Sequence, residues 1–128
     1  MSVQKKFPHL CPIRHTLTLI GGKWKLPVIA LLLDGSKRFT EIERAIPGIS
    51  ARMLIKELKD LETNTLLTRT VFATVPSRVE YHLTDAGRSL GPMLHTMHLW
   101  GAERLAAQGK AVPPLPASCV EVLQPVDA

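Results

Sequence analysis

Four consecutive residues, Pro47, Gly48, Ile49 and Ser50, constrain this chain more than any others. They separate two stretches with helical periodicity. Proline and glycine stop the first helix, and the Ser50 hydroxyl can accept a backbone N–H at the start of the second. At about 100° per residue, Leu54, Leu58 and Leu61 of the second stretch share one side. Arg52, Lys56 and Lys59 fall roughly opposite, at spacings of four and three. A helix over residues 51–63 can therefore bury one face and present a line of cations on the other. Asn64, a residue that tolerates the left-handed conformation, is expected to stop it.

The elements around this pair follow from the same rules. Residues 66–74 and 79–84 are β-branched and apolar, with Pro76, Ser77 and Arg78 between them, which predicts a two-stranded hairpin. Leu17, Ile20, Trp24, Val28 and Leu31 recur every three or four positions, interrupted by Gly21 and Gly22. They predict a short first helix, a break, and a second helix from Lys23 to the Asp34-Gly35 stop. Thr40 is read as the cap of a short helix over 41–46, with Glu43 completing a capping box. Thr84 is read as the cap of one final helix, with Leu90, Leu94, Met97, Gly101 and Leu105 on a stripe. The expected fold class is mainly α with a small β-hairpin, in the order helix, helix, helix, hairpin, helix. That order is a winged helix-turn-helix.

Charge supports a polyanionic partner. The 128 residues carry 16 Lys+Arg against 11 Asp+Glu, a formal +5. Residues 1–40 hold a net +6, residues 41–100 balance, and residues 101–128 sum to −1. Nucleic acid is the usual partner of a basic domain this small. The organisation reads as a basic arm over 1–10, a folded unit over 11–106, and a Pro-rich tail over 107–128. No apolar run approaches the ~20 residues of a membrane span, and the first fifteen residues lack the apolar core of a secretory signal. A cytoplasmic protein without membrane contact is expected.

In the second of the paired helices, Ser50, Ala51, Arg52 and Met53 form the first turn. That is the part of a recognition helix that reaches base edges in a major groove. An arginine there can donate two hydrogen bonds to guanine, and a methionine can touch a thymine methyl. Lys56 and Lys59 lie further along and suit phosphates. Ser77 and Arg78 at the hairpin tip are read as a wing contact, and Arg38 and Arg69 as further phosphate partners. Glu57, Asp60 and Glu62 are placed where they could instead pair with the cations. A winged helix used for protein contact, or a small thiol enzyme built on Cys11, would use the same chain differently.

The residues resemble a known family. Cys11-Pro12, IGGKW at 20–24, Arg38-Phe39, Gly48-Ile49-Ser50, Met53-Leu54, Val79-Glu80-Tyr81 and Trp100-Gly101 fall in the order of HxlR-type winged-helix regulators, relatives of the MarR type. The resemblance covers about residues 10–105. It implies a sequence-specific DNA-binding transcriptional regulator, repressor or activator, acting as a homodimer on a palindromic duplex operator. It also implies a dimer built from the first and last helices, for which Leu17, Ile20, Leu94, Met97 and Trp100 are the apolar candidates. By the same resemblance Cys11, next to Arg14 and His15, is a redox-sensing candidate, and a small molecule or oxidant is the implied effector. Cys119 could pair with Cys11. The family's turn after Leu61-Glu62 normally ends in glycine, where this chain has Thr65, so either Asn64 carries the left-handed residue's role or the turn differs.

No cofactor, metal or catalytic constellation is expected. There is no CxxC pair, nucleophile elbow, HExxH or phosphate loop. His95 and His98 stand three apart but lack an evident third ligand.

Overall fold

The structure, a computed structural model, describes residues 11–112. The arm at 1–10, most of the tail and Cys119 lie outside the described residues. Helices α1 (Pro12–Ile20), α2 (Lys25–Leu32), α3 (Phe39–Ala45) and α4 (Ala51–Thr63) come first. The antiparallel hairpin β1 (Leu67–Phe72) and β2 (Arg78–Leu83) follows, then α5 (Asp85–Arg88) and α6 (Gly91–Ala107).

Helix α1 opens with proline at its first position, where the missing N–H costs nothing. It ends at Gly21, where any side chain would run into the Leu17 carbonyl. Gly22 follows at φ +98°, a left-handed conformation that glycine adopts without strain. Helix α2 starts at Lys25 rather than Lys23, with Trp24 as its cap residue and Pro27 in the first turn. It is apolar nearly all round and touches α3, α4, α6 and β2. A helix without a polar face must sit inside the fold. Val28, Ile29 and Leu32 are fully buried, together with Ile42, Leu54 and Leu61. Burial of each such side chain contributes about 1.5–3 kcal/mol.

The cap of α3 differs from expectation. Arg38, not Thr40, is the cap residue, and the helix begins two positions earlier. The partner carboxylate is Glu41, which accepts the Arg38 backbone N–H at 2.7 Å. Glu43, two residues further along, points away from it. Ser50 does cap α4, its hydroxyl accepting the Met53 N–H at 3.1 Å.

The end of α4 is also corrected. Asn64 has φ −90°, and the left-handed residue is Thr65, at φ +59°. The Leu66 N–H donates to the Leu61 carbonyl and the Thr65 N–H to the Glu62 carbonyl. This is the six-to-one closure of a helix whose next residue must be left-handed. Its geometry places that residue one position later than the sequence reading did.

In the hairpin, Leu67 faces Leu83 and Phe72 faces Arg78. Lys37 adds a bridge to the outer side of β2, exchanging two backbone hydrogen bonds with Tyr81. The expected single last helix is two. Thr84 caps only the four-residue α5, accepting the Gly87 N–H at 3.1 Å. Ser89 and Leu90 break the path, and α6 restarts with Pro92 in its first turn. Proline cannot donate the N–H that a continuous helix needs at that point.

Candidate nucleic-acid interface

Helix α3, the Pro47–Ile49 turn and α4 form a helix-turn-helix, and Gly48 turns the chain at φ +89°. Leu54, Leu58 and Leu61 are buried beneath α4. Ala51, Arg52, Met53, Lys56 and Lys59 are exposed. Arg52 and Lys59 form no ion pair with any described residue. The capped N-terminal turn and two cations therefore stand free on one surface. The positive end of the helix dipole adds to their field.

Lys56 is different. Its ammonium lies 3.1 Å from Asp60 and 3.8 Å from Glu57. Glu57 is almost wholly buried and is held at 2.7 Å by Lys25, which also reaches Asp60 at 3.3 Å. Of the acids weighed against the cations, Asp60 and Glu57 are engaged. Lys25 was not singled out from the sequence. The signal was Glu57 itself, a charge on the leucine stripe three residues after Leu54 and four before Leu61. Burial opposes the Lys25 charge, but hydrogen bonds to Glu57 and Asp60 outweigh it and raise the pKa above the ordinary lysine value. The hydrogen bond from Lys56 chiefly holds Asp60 below the ordinary carboxylate value.

Beside α4 a groove of about 340 Å³ runs towards the hairpin, lined by Ile55, Leu58, Lys59, Glu62, Arg69 and Tyr81. Lys59 of the helix and Arg69 of β1 thus border one cleft. Arg38 is exposed at the start of α3. Arg78 is not at the hairpin tip. It is the first residue of β2, its guanidinium 4.4 Å from the Phe72 ring centre and 3.0 Å from the Glu80 carboxylate. The loop itself is residues 73–77; Ser77 is exposed and Val75 fully so.

A second surface, on α1 and α6, is apolar. Ile13, Leu17, Met97, Leu99 and Trp100 are exposed, Trp100 to 67%. A groove of about 400 Å³ runs between α1 and α6, lined by Ile13, Leu17, Ile20, Leu26, Met93 and Met97 among others. Ile20 and Leu94 belong to the chain's own core, at 3% and 8% exposure. The inner sides of α1 and α6 are packed within the protomer, and Ile20 also borders the groove. Cys11 lies half-buried at the start of α1. The backbone N–H groups of Arg14 and Ile13, then the Arg14 charge, hold its thiol below the ordinary value. Among the described residues, no three His, Cys, Asp or Glu side chains gather as a metal site would need. No helix there is long and apolar enough to cross a membrane.

A family model for HxlR-like helix-turn-helix domains matches residues 19–109. The chain belongs to the HxlR-like helix-turn-helix family. An HTH-type transcriptional regulator of Methanothermobacter thermautotrophicus is 46% identical over 93 residues, covering 73% of this chain and 71% of that protein. YkvN, an HTH-type transcriptional regulator of Bacillus subtilis, is 42% identical over 109 residues, covering 83% and 91%. Among solved structures, the redox regulator HypR in its oxidised form superposes with a TM-score of 0.70 at 44% identity, covering 73% of this chain and 96% of HypR. Reduced YodB of Bacillus subtilis gives 0.65 at 38% identity, covering 73% and 93%. The HxlR match spans every element from the end of α1 through α6, including the Ser50-capped helix and the hairpin.

Proposed function

We propose that this HxlR-type protein is a cytoplasmic, sequence-specific DNA-binding transcriptional regulator, a dimeric repressor or activator acting on a palindromic operator. The observation that carries the reading is the exposed cationic face of α4, backed by buried leucines and begun by a capped, accessible turn. In this reading Ser50, Ala51, Arg52 and Met53 meet base edges, with Arg52 donating to a guanine. Lys56, Lys59, Arg69 and Arg38 meet phosphates. Ser77 and the hairpin loop lie along the neighbouring groove, with Arg78 held at the loop's base.

The folded unit is residues 11–106. Two copies join through the outer faces of α1 and α6, where Leu17, Met97 and Trp100 leave apolar surface that a lone protomer does not cover. A twofold pair sets its recognition helices about 34–36 Å apart, one turn of duplex. Cys11 is the oxidant-sensing thiol, on the strength of its lowered pKa and the likeness to HypR and YodB. The protein performs no catalysis and needs no cofactor in this role.

The test is a fluorescence titration against DNA upstream of its own gene and against a scrambled duplex. Binding is expected to favour the native duplex and weaken steeply with salt. Arg52→Ala is expected to lose about 1–3 kcal/mol of base discrimination. Diamide is expected to change the affinity of the wild type and not of Cys11→Ser. Equal affinity for both duplexes would refute sequence-specific binding, and a Cys11→Ser response equal to wild type would refute the sensor.

A further inference from the structure

Helix α4 carries three cations, Arg52, Lys56 and Lys59, and three acids, Glu57, Asp60 and Glu62, so it has no net charge of its own. A neutral helix is a poor ligand for a phosphate backbone. Lys25 changes this balance. It projects from the first position of α2, and its side chain is only 12% exposed. Its ammonium sits 2.7 Å from the buried Glu57 and 3.3 Å from Asp60. Lys56 stands on the solvent side of the same two carboxylates, its side chain 64% exposed. The four groups are two ammoniums and two carboxylates. Without Lys25, two carboxylates would share Lys56 alone, and a buried carboxylate with no other partner would draw it inward.

We propose that Lys25 is a positioning residue of the DNA-binding surface: it takes up the charge of Glu57 and shares Asp60, which leaves Lys56 available to a DNA phosphate. The proposal rests on the DNA-binding reading and adds a residue outside the helix-turn-helix to it.

The experiment compares the slope of log affinity against log salt for wild type, Lys56→Ala, Lys25→Met, the double variant, Lys25→Arg, Glu57→Gln and Lys25→Met/Glu57→Gln, with a thermal melt of each. One phosphate contact contributes about 0.9 to the slope. Lys56→Ala and Lys25→Met should each lower the slope by about that amount, and the double variant by no more than either. Lys25→Arg should retain the wild-type slope, and Glu57→Gln should restore it in the Lys25→Met background. Glu57→Gln alone, in which Lys25 keeps Asp60 as its carboxylate partner at 3.3 Å, should bind several-fold more tightly than wild type; this arm holds even where Lys25→Met does not fold. An unchanged slope in Lys25→Met, additive losses in the double variant, or weaker binding by Glu57→Gln would overturn the proposal. Absence of salt-dependent binding by the wild type would instead overturn the DNA-binding reading beneath it.

Discussion

Thr65 occupies a backbone conformation that its side chain resists. At φ +59° a residue with a Cβ is left-handed, and β-branching sharpens the conflict with the neighbouring carbonyls. The left-handed conformation costs a non-glycine residue about 1–2 kcal/mol. Replacement by glycine removes that cost but adds about 0.5–1 kcal/mol of chain entropy to lose on folding. The hydrogen bond from the Thr65 hydroxyl to the Asn64 carbonyl is exposed and adds little to either side. Thr65→Gly should therefore stabilise the protein by about 0.5–1 kcal/mol. For a folded unit of about 100 residues this raises Tm by roughly 2–6 °C. The check is thermal unfolding by circular dichroism at one fixed protein concentration for every variant, because self-association would make the midpoint depend on concentration. Thr65→Ala, which keeps a Cβ but loses the branch, should fall between. A glycine variant that melts at or below the wild-type temperature would refute the strain argument.

Gly87 should tolerate no side chain. A Cβ there would collide with the Leu66 carbonyl and press on Leu83, so Gly87→Ala should destabilise by about 1–3 kcal/mol in urea unfolding despite alanine's better helix propensity. The Lys25–Glu57–Asp60 network gives a pH signature. The folded-state pKa of Asp60 is depressed, so its stabilisation is present above the ordinary aspartate value of 3.8 and is lost as pH falls through the lower folded value. Lys25 is raised, so its share is present below 10.5 and is lost as pH rises through its higher folded value. Urea midpoints of Asp60→Asn and wild type should accordingly converge in acid and stay apart near neutrality. Leu17→Glu places a charge on the outer face of α1 and should shift the sedimentation coefficient towards that of a monomer while leaving the far-ultraviolet spectrum unchanged.

Much of this fold was legible in the chain because its local signals agree with its packing. Pro47, Gly48 and Ser50 act on their own backbone, so the turn and the start of α4 follow from residue type alone. The cap of α3 was misplaced because Thr40 has the better capping side chain. The backbone enters the helix earlier, with Lys37 pinned to Tyr81 of β2, a contact 44 residues away in the chain that no local rule contains. The break between α5 and α6 had a visible cause in Gly91-Pro92, but the apolar stripe through Leu90 and Leu94 outweighed it. At the candidate interface, the cationic face of α4 was evident from spacing. Its partner Lys25 was not, because the second of two lysines after a glycine pair says nothing about where its ammonium comes to rest. Arg78 was placed at the tip because strand pairing extends one residue further than the alternation suggested, and stacking on Phe72 then folds it back.

The glycine pair that ends α1 leaves that helix joined to the rest of the chain through two residues, one packed too close for a side chain and the other left-handed. A rod of nine residues is about 13 Å long, so a swing of about 10° at this joint carries its far end through about 2 Å. Cys11 sits at that far end. Any displacement of Cys11 would thus act at the long end of this helix, whose joint adjoins the helix that carries Lys25.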